Sequence, residues 1–170
     1  TDNADPMNVV VYRKKTGRVH CTVPVFNQGA SATENSLMAS KRALFVENNY
    51  GYQDPFGPRS GALTTPGFAR VDVNGCRVVW TNRTERAPSV VPELSTATGL
   101  IYTYTRDPDP LPIGQPYFWT AIDAHTGETA FKVYAGRGLP FNNNYRGLAL
   151  GPNGDAYLGV TGGIIRLSDG

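Results

Sequence analysis

The chain is poor in the residues that usually carry covalent or metal chemistry: its 170 residues include two histidines and two cysteines. There is no His/Cys zinc cluster, no Gly-x-Ser-x-Gly elbow and no glycine-rich phosphate loop. His125 lies in a turn. His20 adjoins Cys21 on a strand, where neighbouring side chains are expected on opposite faces, so the two do not form a nucleophile–base pair. A surplus of one charge sign is also missing, with 16 basic residues against 14 acidic ones and Arg13-Lys14-Lys15 as the longest basic run. Nucleic-acid binding wants a concentrated basic face, which is absent. No apolar stretch approaches the roughly 18 residues of a membrane-spanning helix. The polar opening Thr1-Asp2-Asn3-Ala4-Asp5 does not read as a signal peptide; if there was one, it has been removed.

Long helices have little room either, because 13 prolines and 19 glycines punctuate the chain. Residues 33–46 alone have a helix-like pattern, and their centre Ala39-Ser40-Lys41-Arg42 reads better as a hairpin turn. Val9-Val10-Val11-Tyr12, Val78-Val79-Trp80 and Tyr117-Phe118-Trp119 are β-branched and aromatic, the composition of strands. A tight turn ending in glycine recurs at Lys15-Thr16-Gly17, Val73-Asn74-Gly75 and His125-Thr126-Gly127, with the glycines 58 and 52 residues apart. Such a period marks a repeat architecture, whose units bury their apolar faces by stacking on neighbours. Each unit holds one hairpin through the glycine turn (8–25, 68–82, 117–134) and a second hairpin (36–47, 94–105, 147–160). Two hairpins make a four-stranded antiparallel sheet, and the expected units are 8–50, 68–106 and 117–167. The fold class is therefore all-β. The insertions 48–66 and 107–116 fall between units, where repeat proteins carry either binding loops or plain spacers.

The cysteines, 55 residues apart, are read on the same alignment. Cys21 follows Gly17 by four residues and Cys76 follows Gly75 by one. That offset favours two buried free thiols over a disulfide, whose Cα atoms must lie within about 7 Å. Asn82-Arg83-Thr84 fits the glycosylation pattern, a frequent chance match.

The stretch from Ala121 to Phe131, with Asp123, Thr126-Gly127 and Phe131, resembles the blade repeat of quinoprotein-like propellers, in which Ala-x-Asp-x-x-Thr-Gly-Lys-x-x-Trp recurs. Asp72 and Trp80 repeat the spacing of Asp123 and Phe131, while Arg13 and Cys21 take those places in the first unit. In such a motif the Asp caps the turn amides and the aromatic fills the wedge between sheets. The stretch from Tyr145 to Leu167 resembles a blade of lactonase and NHL-type propellers. The resemblance implies a β-propeller of four-stranded blades. Since propellers have about 4–8 blades, it implies a partial ring whose partner is the rest of its own propeller.

In propellers the residues before the innermost strands gather at a channel mouth. Here these are Glu34-Asn35, Glu93 and Arg146. The lactonase resemblance implies a divalent cation, calcium by its oxygen ligands, held by Glu34, Asn35 and Glu93. Arg146 in the equivalent place would repel it, and polar residues at a wet channel need no ligand. A second candidate is the aromatic and carboxamide group Glu47, Asn48, Tyr50, Tyr52, Asn144 and Arg146, suited to a sugar or peptide; the alternative is tyrosines covering a sheet edge. The functional expectation is a scaffold outside the cytoplasm, secreted or periplasmic, binding a small molecule or protein through one face. The alternatives are a lactonase-like hydrolase with a divalent cation and, less favoured, a quinone-dependent dehydrogenase. The adjacent Cys-Cys pair of quinone-dependent alcohol dehydrogenases is missing.

Overall fold

The β-branched and aromatic runs become strands, and residues that tolerate left-handed backbone turn them back on themselves. The computed structural model describes residues 6–52, 62–109 and 114–169; parts of the insertions 48–66 and 107–116 lie outside them. The fold is nearly all β, with 48% of residues in strands and 2% helical. A first hairpin pairs β1 (Asn8–Tyr12) with β2 (Val19–Pro24). A four-stranded antiparallel sheet follows, in the order β3 (Met38–Ser40), β4 (Ala43–Glu47), β5 (Phe68–Asp72) and β6 (Arg77–Asn82). A second consists of β7 (Glu93–Ser95), β8 (Leu100–Arg106), β9 (Pro116–Asp123) and β10 (Thr129–Arg137). The last sheet has three strands, β11 (Leu148–Leu150), β12 (Ala156–Val160) and β13 (Gly163–Leu167).

The expected grouping of hairpins into sheets is thereby corrected by one hairpin. Each four-stranded sheet joins the second hairpin of one sequence unit to the first hairpin of the next. The β4–β5 ladder runs without a break from Ala43 opposite Asp72 to Glu47 opposite Phe68. After β6, Asn82 turns the chain off its sheet: its Oδ1 accepts from the backbone N–H of Thr84 and of Glu85, 3.0 and 3.1 Å away. Its Nδ2 donates to the Gly127 carbonyl of the next sheet at 2.9 Å. Asn82 is buried, so its amide is engaged in the fold and does not present itself as a glycan acceptor.

Stacking of the sheets follows from the period-two alternation of strands. Phe45 and Phe68 face the second sheet, where they join Ile101, Tyr104, Trp119 and Ile122 in one core. Val46, Ala69 and Val71 face the other way and meet Val9, Val23 and Val25 of the first hairpin. The short strands β3, β7 and β11 lie beside one another at the inner edge. Val91 forms a parallel bridge with Gly147 there, and the Asn35 amide donates to the Val90 carbonyl at 2.7 Å. The sheets thus fan out from one axis and form no closed barrel, as in a partial ring.

The turn motif works between sheets as well as within them. Asp123 Oδ1 accepts from the N–H groups of His125 and Thr126 at 2.7 and 2.8 Å. Those bonds, Thr126 first and then His125, hold its carboxyl below the usual range. Asp72 caps Asn74 in the same way at 3.0 Å. Trp80 then reaches across: its Nε1 donates to the Ala124 carbonyl at 3.2 Å, and its ring lies where a Cβ on Gly127 would be, 2.6 Å away. Gly127 has φ 81°, so it serves both a left-handed turn and a close approach.

The same cross-sheet contact explains the cysteines, which form a disulfide with Cα atoms 6.1 Å apart. This overturns the expectation of free thiols. Four residues beyond the turn-opening position, the left-handed residues are Gly17, Cys76 and Gly127, with φ of 66°, 50° and 81°. Cys76 therefore corresponds to Gly127, and Gly75 is not the matching residue. Cys21 stands where Trp80 stands in the next unit. One pair meets through an aromatic wedge and the other through a covalent bond.

Candidate functional site

The connections β4→β5, β6→β7 and β10→β11 leave the sheets at the end opposite the capped turns, and their polar residues converge. Glu47, the last residue of β4, is 2% exposed. Its Oε1 accepts from the Asn35 amide, whereas its Oε2 is buried and has no hydrogen-bond partner among the described residues. Burial pushes this carboxyl up to about 8, with the Asn35 hydrogen bond offsetting it only in part. At neutral pH Glu47 is thus mostly a neutral acid.

Around it stands a rim of phenols. The Tyr145 hydroxyl donates to Glu34 Oε2, and the Tyr52 hydroxyl lies 3.4 Å from Asn144 Oδ1. The two rings meet edge to face with centroids 5.0 Å apart. Burial raises the Tyr145 hydroxyl, and its bond to Glu34 and the charges of Glu34, Tyr52 and Glu47 raise it further. Burial also raises Tyr52, offset in part by its hydrogen bonding with Ser89. Asn144 and Tyr145 both have left-handed backbone, φ 44° and 62°. Consecutive non-glycine residues in that region are strained and persist where surrounding contacts over-determine them. Here the contacts are those of Tyr145 with Glu34 and Tyr52.

Behind the rim the asparagines brace the loops. Asn49 Oδ1 accepts from the Glu34 N–H at 3.2 Å, and its Nδ2 donates to the Pro88 carbonyl at 3.5 Å. Asn143 Nδ2 donates to the Ser89 carbonyl, and the Ser89 hydroxyl donates to Asn143 Oδ1 at 3.0 Å. The buried 88–89 segment is thus gripped from both sides. Asn49 and Asn143 lie in the runs 47–52 and 142–145 that the sequence offers as candidates, whereas Ser89 has no such signal.

The structure brings together Glu34, Asn35, Glu47, Tyr52 and Asn144, which the sequence had divided between a metal set and a ligand set. Asn48 is not at the rim. Its Oδ1 accepts from the N–H groups of Ala32 and Tyr50, and its Nδ2 donates to the Ala30 carbonyl. Tyr50 contributes its backbone to that bracing and pairs through its carbonyl with Thr65. Arg146 donates to the Asn143 carbonyl at 3.2 Å and lays its side chain over Gly159 of β12. Glu93 is exposed at the start of β7.

The residues do not fit the divalent cation that the lactonase resemblance implied. Asn35 turns its amide N–H groups toward Glu47 and Val90, Glu34 Oε2 accepts from the Tyr145 hydroxyl, and Glu93 stands exposed at the start of β7. Among the described residues one triplet of His, Cys or carboxylate groups has ligand atoms within 4.8 Å of one another: His20, Cys21 and Cys76, whose sulfurs are already joined. His20 reaches Cys21 because the β1–β2 ladder slips between Val11 and Tyr12, placing Cys21 and Val19 opposite them and leaving His20 as an extra residue. That bulge corrects the expectation that the two side chains stay on opposite faces. Among the described residues no helix is long and apolar enough to cross a membrane.

What the site can do is accept and donate hydrogen bonds from a carboxylate, a neutral carboxyl, two phenols and carboxamides at the ends of rigid strands. No family model and no curated protein matches this chain, so these side chains carry the functional reading.

Proposed function

We propose that this chain is part of a β-propeller, of the quinoprotein-like and lactonase/NHL-like kind, that binds a polyhydroxylated ligand at the loop end of its sheets. The observation that carries the reading is the Glu34–Tyr145–Tyr52 rim, a carboxylate and two phenols on edge-to-face rings, with Asn35 and the buried Glu47 behind it. Tyrosines that pair an apolar ring with a polar tip suit the faces and hydroxyls of a saccharide. The exposed apolar side chains on the outermost sheets, Ile164 and Tyr157 at one end and Val10 and Tyr12 at the other, support further blades as partners. The disulfide supports a secreted or periplasmic location, since oxidising compartments keep such bonds.

The test is calorimetric titration with maltotriose, cellotriose and chitotriose, each up to about 10 mM, and with calcium chloride. At least one saccharide is expected to bind, and Tyr145→Phe, which loses the hydroxyl on Glu34, is expected to weaken it about tenfold. No saccharide binding would refute the reading. Stoichiometric calcium binding without saccharide binding would replace it by the hydrolase alternative.

A further inference from the structure

At the opposite end of the two four-stranded sheets, among the capped turns, lies a cleft of about 780 Å³. Its size falls within the range of ligand pockets, roughly 300–1,000 Å³. Three cations line it, Lys41, Arg42 and Arg70, and none is in an ion pair among the described residues. The two lining carboxylates, Asp72 and Asp123, face turn amides through their Oδ1 atoms.

Arg70 is the best-placed cation. Its Nη1 donates to the Ala124 carbonyl at 3.3 Å, and its Nε is buried without a partner among the described residues. Its guanidinium lies 6.0 Å from the centre of the Phe45 ring. Phe45 and Leu94 give the cleft an apolar wall, and the hydroxyls of Ser95 and Thr96 add donors. A guanidinium fork, two exposed cations and hydroxyls suit a phosphate group, while the wall suits a flat apolar body.

We propose that this inter-sheet cleft is a second binding site, taking a phosphate monoester of a planar apolar group. The phosphate meets Arg70, Lys41 and Arg42; the planar group lies against Phe45 and Leu94. The site is separate from the rim of Glu34, Glu47 and Tyr145 and stands or falls independently of it.

Phenyl phosphate is the probe, titrated calorimetrically beside inorganic phosphate and benzoate. Phenyl phosphate is expected to bind most tightly and to weaken as salt rises. Arg70→Gln is expected to weaken it at least about tenfold. The exposed double change Lys41→Gln with Arg42→Gln is expected to weaken it without unfolding the protein. Lys14→Gln with Lys15→Gln, in the β1–β2 turn away from the cleft, is expected to leave it unchanged. Three results would each overturn the proposal: no phenyl phosphate binding at about 10 mM, equal loss in the Lys14/Lys15 variant, or benzoate binding as tightly.

Discussion

Removing the Cys21–Cys76 bond tests the reasoning about inter-sheet contacts most directly. The bond closes a loop of 55 residues between the first hairpin and the β5–β6 turn. Loop-closure entropy for that length is about 14 cal/mol/K, so the bond raises the unfolded state by about 4 kcal/mol at room temperature. In a chain of this size, that corresponds to a fall in Tm of about 10 °C on breaking it. The paired substitution Cys21→Ala with Cys76→Gly separates the covalent effect from the backbone effect. Cys76 has φ 50°. Glycine there relieves left-handed strain, whereas Cys76→Ala keeps it, so the glycine version is expected to be more stable by about 1 kcal/mol. The assay is urea unfolding followed by tryptophan fluorescence, run on oxidised protein, protein reduced with a phosphine and both double variants. If oxidised and reduced proteins share one midpoint, the disulfide does not hold the hairpin to the sheet, and the equivalence of Cys21 with Trp80 fails.

Three further outcomes are expected. Glu47 binds its proton more tightly when folded, because burial pushes its carboxyl from an ordinary 4.5 up to about 8. The Glu47 contribution to stability is then fully present below about 4.5, falls as pH rises toward about 8, and is gone beyond; Glu47→Gln should remove that component, worth several kcal/mol, from unfolding measured across pH. Gly127→Ala, with its Cβ 2.6 Å from the Trp80 ring and φ 81°, should cost about 2–3 kcal/mol in urea unfolding. Gly17→Ala has similar φ but open space, and should cost only about 1 kcal/mol in the same assay. Lys132 lies 2.8 Å from both Glu85 and Asp107, and Glu85 is buried. Lys132→Met leaves that carboxylate unpaired and should cost about 3 kcal/mol, recovered in part by adding Glu85→Gln.

The all-β fold, the hairpins and the Asp-capped turns were legible because each rests on local chemistry: alternation, turn residues and the short reach of Asp123 to its own amides. Grouping hairpins into sheets was not, since the spacing fits either partner and only the burial of Phe68, Ala69 and Val71 between two neighbours decides it. The disulfide was hidden for the same reason. Matching turn to turn aligned Cys76 with the wrong residue, because Gly75 is the glycine but Cys76 is the left-handed position. At the site, sequence position pointed to Glu34, Asn35 and Glu47, whose neighbourhood depends on where three loops end. It did not show that Glu47 loses all its water, nor that Asn48 turns inward to brace Ala30 and Ala32, 18 and 16 residues before it, because both depend on how the loops pack.

The one-hairpin offset between sequence units and sheets decides where the chain can be divided. A fragment cut at the ends of the sequence repeat would separate β4 from β5 and strip a five-residue ladder from the middle of a sheet. A cut between Asn82 and Glu93 would leave both four-stranded sheets whole, although it would sever the segment that carries Ser89 and Val90. Each linker is therefore both the natural joint between sheets and a wall of the candidate site, so genetic shuffling of intact sheets would carry the loops of that rim along with them.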